Sequence, residues 1–115
     1  MKLIKNADKI EEMSSAGNLE AVRRRLFKRF LKSKAPNFLR EHSSLFDAYF
    51  QERFEKSQTG LLMDIKKNPY AVLALGGYGR QEQCLMSDID LLFLFEKKIP
   101  DEAEELVREF IFPLW

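Results

Sequence analysis

Tyr70-Ala71-Val72-Leu73-Ala74-Leu75 runs directly into Gly76-Gly77-Tyr78-Gly79-Arg80, and Ser87-Asp88-Ile89-Asp90-Leu91 follows shortly after. A continuous apolar run that stops at glycine has the pattern of a strand buried on both faces. Ile89 to Phe95 repeats it, so a second internal strand is expected there, ended by Glu96-Lys97-Lys98. Between the strands, three glycines in four positions make a tight turn. A short helical turn over Gln81 to Leu85 is expected to follow.

The flanks read as helices. Downstream, Ala103, Leu106, Val107, Phe110, Ile111 and Leu114 recur at helical spacing. Asp101 and Glu104 have the spacing of a capping box at its start, and Pro113 bends or ends it. Upstream, residues 5–33 carry an apolar stripe of Leu19, Val22, Leu26 and Phe30, with Phe27 and Leu31 alongside. Gly17-Asn18 is a candidate interruption, and Ala35-Pro36-Asn37 stops the pattern. Residues 38–57 form a second helix with Leu45, Phe46, Tyr49, Phe50 and Phe54 on one side. Ser43 or Ser44 is its candidate N-cap, and Ser57-Gln58-Thr59-Gly60 its end or break. A short third turn, Leu61 to Lys67, precedes Asn68-Pro69.

The expected fold class is therefore α+β with mixed α/β character: helices first, then strand, glycine turn, short helix, strand and helix. The division falls at Asn68-Pro69, giving a helical region at 1–68 and an incomplete α/β domain at 69–115. Charge divides at the same point. The chain of 115 residues is nearly neutral at +1, yet residues 1–68 carry +6 and residues 69–115 carry −5. Two strands make a poor sheet by themselves, so the chain is expected to be the beginning of a longer protein.

The chemistry lies in the acidic half. Side chains at i and i+2 of a strand share a face, so Asp88 and Asp90 are expected to project together at the start of the second strand. Two neighbouring carboxylates repel unless a cation compensates, and hard Mg²⁺ prefers carboxylate oxygens together with substrate phosphates. Glycine at 76, 77 and 79 permits positive φ and close approach of a phosphate to the backbone. Arg80 can donate two parallel hydrogen bonds to a phosphate. Bland readings stand beside these: a tight turn without ligand, a strand-edge acidic pair, an Arg80–Glu82 pair that only pins the turn, and Ser87 as a cap. The phosphate cradle and the carboxylate pair together suit nucleoside triphosphate chemistry.

Gly76-Gly77-Tyr78-Gly79-Arg80-Gln81-Glu82, followed by Ser87-Asp88-Ile89-Asp90-Leu91, resembles the DNA-polymerase-β-like nucleotidyltransferase superfamily. Within it, the spelling is most similar to the bidirectional uridylyltransferase/uridylyl-removing enzymes that modify the PII nitrogen-signalling protein. The resemblance covers Ala71 to Trp115 well and the helices before Pro69 weakly. It implies that Asp88 and Asp90 hold Mg²⁺, that Gly76, Gly77 and Gly79 bind the triphosphate of UTP, and that Arg80 and Ser87 assist, with Glu82 supporting the turn. The reaction it implies transfers a uridylyl group from UTP to a tyrosine of PII and releases pyrophosphate.

Two departures stand out. Gln83 replaces the usual apolar residue after Glu82, and Cys84-Leu85-Met86 stands where the family often has proline. The superfamily's third carboxylate, the base-recognising segment and the phosphohydrolase domain would lie beyond Trp115, and His42 alone cannot supply the latter. The chain by itself is therefore expected to be inactive. The alternatives are another nucleotidyltransferase with a different substrate, or a non-catalytic module that senses nucleotide and binds a partner.

Composition excludes other classes. With 45% hydrophobic and 32% charged residues the chain is not a disordered tail. One cysteine, Cys84, rules out a disulfide framework and a cysteine-ligated zinc site; it is expected to be an inert, partly buried thiol. No apolar run approaches the length of a membrane span, so a cytoplasmic protein without a membrane partner is expected. The basic run from Arg23 to Lys34 is interleaved with Leu26, Phe27, Phe30 and Leu31. It reads as the solvated face of a packed helix rather than a nucleic-acid surface.

Overall fold

A computed structural model describes residues 6–64, 66–84 and 87–114. Helix α1 spans Asn6–Leu31 and runs through Gly17-Asn18 without a break. It ends where Ser33 adopts a left-handed φ of 56° and the Lys34 N–H reaches back to the Arg29 carbonyl at 2.8 Å. Leu19 and Leu26 are buried, whereas Phe30 and Leu31 at the end of the expected stripe are exposed.

Helix α2 spans Phe38–Glu55. Ser43 and Ser44 do not cap it; each hydroxyl donates to a carbonyl four residues back, Leu39 and Arg40. Ser57 instead caps a short helix α3, Gln58–Leu62, by accepting the Gly60 N–H at 2.9 Å. The expected break thus lies one residue earlier, at Lys56, because Thr59 and Gly60 belong to the new helix.

Strands β1 (Tyr70–Leu75) and β2 (Asp90–Phe95) pair antiparallel, from Tyr70 opposite Phe95 to Leu75 opposite Asp90. Directly opposed residues share a face. Tyr70, Val72, Leu91, Phe93 and Phe95 face the helices and join one core with Leu19, Phe46, Tyr49, Phe50, Met63, Tyr78, Leu106 and Phe110. Phe93 meets Phe110 edge-on at 5.2 Å. Each such side chain fully buried contributes about 1.5–3 kcal/mol. The other face carries Leu73, Leu75, Leu92 and Leu94, all exposed. Burial on both faces, expected from the apolar runs, therefore holds on one face among the described residues, because the helices lie on one side only.

The glycine turn is itself the short helix. Helix α4 is Gly76–Gly79, and the expected turn over Gln81 to Leu85 is not helical at Gln81–Cys84; Leu85 lies outside the described residues. Helix α5 spans Ala103–Ile111 and is followed by a 3₁₀ turn at Phe112–Leu114 that contains Pro113. Its capping box does not form. Glu102 is the N-cap, without a side-chain bond, and Glu104 pairs forward with Arg108 at 2.8 Å. On the same helix Glu109 accepts hydrogen bonds from the Ser57 hydroxyl, the Thr59 N–H (2.8 Å) and the Thr59 hydroxyl, tying α5 to α3. Among the described residues, no helix is long and apolar enough to cross a membrane.

Candidate functional site

Antiparallel pairing brings the two motif segments together, because β1 ends at Leu75 directly opposite the residue that begins β2, Asp90. Gly76 follows with φ +58°, and a Cβ built on it would lie 2.6 Å from Asp90 Oδ2. Only glycine serves both demands: the left-handed backbone and the space that the carboxylate occupies. Gly79 is required for a different reason, since its Cβ would meet the Ala74 carbonyl oxygen at 2.7 Å. At Gly77 the nearest atom is 3.5 Å away, so a methyl group there meets only ordinary contact.

Three backbone bonds close the turn: Arg80 N–H to the Gly76 carbonyl (3.2 Å), Gln81 to Tyr78 (3.0 Å) and Glu82 to Gly77 (2.8 Å). Arg80 and Glu82 form an exposed ion pair at 3.6 Å. Tyr78 points the other way, into the core against Phe46 and Phe50, and its hydroxyl donates to Asp47 Oδ1 at 2.7 Å. Burial is the main force that pushes the phenol's pKa well above its ordinary 10.0, and the bond to the Asp47 carboxylate adds to it. Tyr78 stays a neutral donor and anchors the turn to α2.

Asp88 is exposed in the approach to β2 rather than within it, and Asp90 is exposed as the first strand residue. Asp88 and Asp90 have no ion-pair partner among the described residues. Ser87 is exposed beside them. Asp88 and Asp90 stand two positions apart at the start of β2, and carboxylate oxygens are hard donors of the kind that Mg²⁺ takes. Among the described residues no group of three or more His, Cys, Asp or Glu could hold a metal ion. A cavity of about 960 Å³ reaches Ser87 and Asp88 from the helical side, between Arg23 of α1 and Leu114. The glycine turn and Asp90 lie outside its lining.

Gln83 is the residue that sequence reading noted only as a departure. It is 1% exposed. Its side-chain nitrogen lies 2.9 Å from the Ser87 carbonyl and 3.3 Å from those of Cys84 and Asp88. Its backbone N–H donates to Ser43 Oγ at 3.0 Å, and its carbonyl accepts from His42 Nδ1 at 2.7 Å. Gln83 Oε1 is buried without a partner among the described residues, which costs about 1–3 kcal/mol. Cys84, next along, is exposed rather than partly buried, because inward burial of Gln83 turns its neighbour out.

His42 is 1% exposed, and its second nitrogen, Nε2, accepts from Arg23 Nε at 2.9 Å. One ring nitrogen donates and the other accepts, as the neutral imidazole requires. Desolvation holds its pKa below the ordinary 6.5; the bond to the Gln83 carbonyl opposes this shift and the Arg23 charge reinforces it. His42, Ser43 and Asp47 thus present one face of α2 to both motif segments. Their signal in the sequence was no more than helical spacing beside Phe46 and Phe50.

The chain matches the family model "Putative nucleotidyltransferase DUF294" over residues 10–112. A bifunctional uridylyltransferase/uridylyl-removing enzyme of Rhodospirillum rubrum is 33% identical over 104 residues, which is 86% of this chain and 11% of that protein. The protein of the same description from Cereibacter sphaeroides is 51% identical over 45 residues, 39% of this chain and 5% of that protein. A third, from Pasteurella multocida, is 37% identical over 51 residues, 44% of this chain and 6% of its own length. The chain thus spans about a tenth or less of the curated relatives that it matches. No solved structure matches it.

Proposed function

The chain belongs to the DUF294 nucleotidyltransferase family, and from that premise we propose that it carries the phosphate- and metal-binding start of a uridylyltransferase. The acceptor would be a tyrosine of PII, UTP the donor and pyrophosphate the product. The observation that carries this reading is the 2.6 Å approach of Asp90 Oδ2 to the position a Gly76 Cβ would take. It brings the carboxylate that would ligate the metal against the turn that would receive the phosphates.

Asp88 and Asp90 would hold Mg²⁺, which supplies charge neutralisation at the phosphate oxygens. Gly76 and Gly77 let the backbone approach the triphosphate. Arg80, exposed and paired with Glu82, can exchange that partner for a phosphate. Ser87 stands beside the carboxylates as a further hydrogen-bond donor. Gly79 serves the same site by packing the turn onto Ala74. In the reaction the tyrosine oxygen bonds the α-phosphorus, the α–β bridging P–O bond breaks, and the tyrosine proton leaves to solvent. A cytoplasmic location accords with this substrate and partner.

The test is transfer of labelled UMP to PII by the full-length protein. Asp88→Asn and Asp90→Asn are each expected to lower it by about 10²–10³-fold, the range for removing one group that stabilises transition-state charge. Full activity in either variant would sink the assignment. A second reading, a nucleotidyltransferase that acts on a different substrate, draws support from the family match over residues 10–112, whose description names no substrate. Thermal-shift measurements with the four nucleoside triphosphates and Mg²⁺ separate the two: preference for UTP favours uridylyl transfer, and preference for ATP favours the alternative.

A further inference from the structure

The segment that carries Ser87 and Asp88 follows Gln83 and leads into β2. Its side chains at Cys84, Ser87 and Asp88 are exposed, and Ser87 N–H to the Cys84 carbonyl, at 3.3 Å, is a long bond. Among the described residues, the Gln83 amide nitrogen ties it down, shared among the carbonyls of Cys84, Ser87 and Asp88, with Ser87 the nearest at 2.9 Å. The acceptors fix which way the amide points, since Oε1 in that position would face three carbonyl oxygens. Oε1 is then left without a partner among the described residues. An apolar side chain of similar size would avoid that cost, but it could not gather the carbonyls.

Gln83 is itself held at both backbone ends of its residue, by Ser43 Oγ and His42 Nδ1 of α2, and Arg23 of α1 secures His42. A continuous chain of hydrogen bonds therefore runs from α1 through α2 and Gln83 to the Asp88 carbonyl. We infer that Gln83 is a positioning residue for the nucleotidyltransferase reaction: it sets the Ser87–Asp88 loop for metal binding and couples it to the helices. The inference rests on the reading of Asp88 as a metal-holding carboxylate.

The test uses the full-length protein with Gln83→Met, which keeps length and apolar volume while removing both donors and the unpaired acceptor. Three quantities are measured without nucleotide: the thermal midpoint, amide hydrogen exchange across residues 84–88, and Mn²⁺ affinity from water-proton relaxation. The midpoint is expected to stay within about 2 °C of the parent or to rise. Exchange is expected to quicken by about tenfold and Mn²⁺ affinity to weaken by at least about tenfold, the range for residues that orient metal ligands. Unchanged exchange overturns the clamp. Faster exchange with unchanged Mn²⁺ affinity overturns the positioning role and leaves Gln83 a structural residue.

If the parent itself takes up no Mn²⁺, the metal-site reading fails along with this inference, and that failure is visible before any variant is made. Should Gln83→Met not fold, Ser43→Ala carries the test, because it removes only the hydroxyl that receives the Gln83 N–H. It is expected to weaken Mn²⁺ by about threefold, a smaller loss than for direct removal of the orienting group; parental affinity in that variant counts against the inference.

Discussion

Two short backbone segments meet at the mouth of the sheet, and they are immobilised by opposite means. The glycine turn at 76–79 is held by exclusion: its backbone lies so close to Asp90 and Ala74 that side chains at two of its glycines have no room. Cys84, Ser87 and Asp88 are held by attachment, through one buried amide that reaches the carbonyl of each. Exclusion leaves its mark in the sequence as glycine. Attachment leaves a single glutamine that could pass for an ordinary polar residue. Both segments are referred to the same helix, the first through Tyr78 and Asp47 and the second through Gln83, Ser43 and His42.

The sharpest way to break this comparison is to fill the excluded spaces one at a time. Gly79→Ala places a methyl group 2.7 Å from a strand carbonyl that cannot swing aside. It is expected to destabilise the protein by about 2–3 kcal/mol in urea unfolding. Gly76→Ala also forces a left-handed backbone, at about 1–2 kcal/mol, and displaces the Asp90 carboxylate. Its signature differs: nucleotide transfer should fall by about 10²-fold or more, well beyond what the stability loss explains. Gly77→Ala should stay within about 0.5 kcal/mol of the parent. If all three glycines respond alike, the turn is not held in the way described.

Tyr78→Phe probes the link from the turn to α2. The lost hydrogen bond has a charged acceptor, and Asp47 is partly accessible to water, so a loss near the lower limit for such bonds, about 1.5 kcal/mol, is expected. Measured by thermal unfolding, a neutral outcome would mean that packing on Phe46 and Phe50 alone seats the turn.

These links also explain what was legible in the sequence. The strands and the glycine turn were readable because each is a contiguous pattern with a local cause. The α2 face was not, because its partners lie 31 to 41 residues away. Ser43 reads as a cap when only its neighbours are considered; its actual acceptor role toward Gln83 depends on how the loop returns. The capping box at Asp101 failed for a related reason, since the N-cap falls one residue later, at Glu102, and Glu104 finds Arg108 instead. Apolar runs announced strands correctly, yet they did not reveal that one face would carry Leu73, Leu75, Leu92 and Leu94 uncovered by these helices.

Acid tests the attachment without any substitution. The neutral His42 ring donates to Gln83 and accepts from Arg23, and its folded pKa lies below the ordinary 6.5 chiefly through burial. Between those two values the unfolded chain binds more protons than the folded one, so stability must decrease as pH falls. The His42 contribution is complete above about pH 6.5 and is lost progressively below it, down to the folded pKa. Unfolding measured from pH 7.5 to 5 should show this slope, and His42→Gln should reduce it. An unchanged slope in the variant would place the acid sensitivity elsewhere.

The smallest effect is expected one residue along. Cys84 is exposed, and its sulfur lies 3.8 Å from the Glu82 carbonyl, while adjacent Gln83 is buried and bonded. Alternation of this kind is what attachment by a single side chain produces: one residue turns in to carry the loop and the next turns out and carries nothing. Cys84→Ser should therefore change stability by no more than about 0.5 kcal/mol. A thiol reagent added to the native protein should modify Cys84 nearly as fast as a small free thiol of the same pKa, since access limits thiol reactivity where the thiolate fraction is equal. Slow modification, or a marked loss of stability in the serine variant, would mean that the loop is covered on its outer side and that Gln83 is not its main restraint.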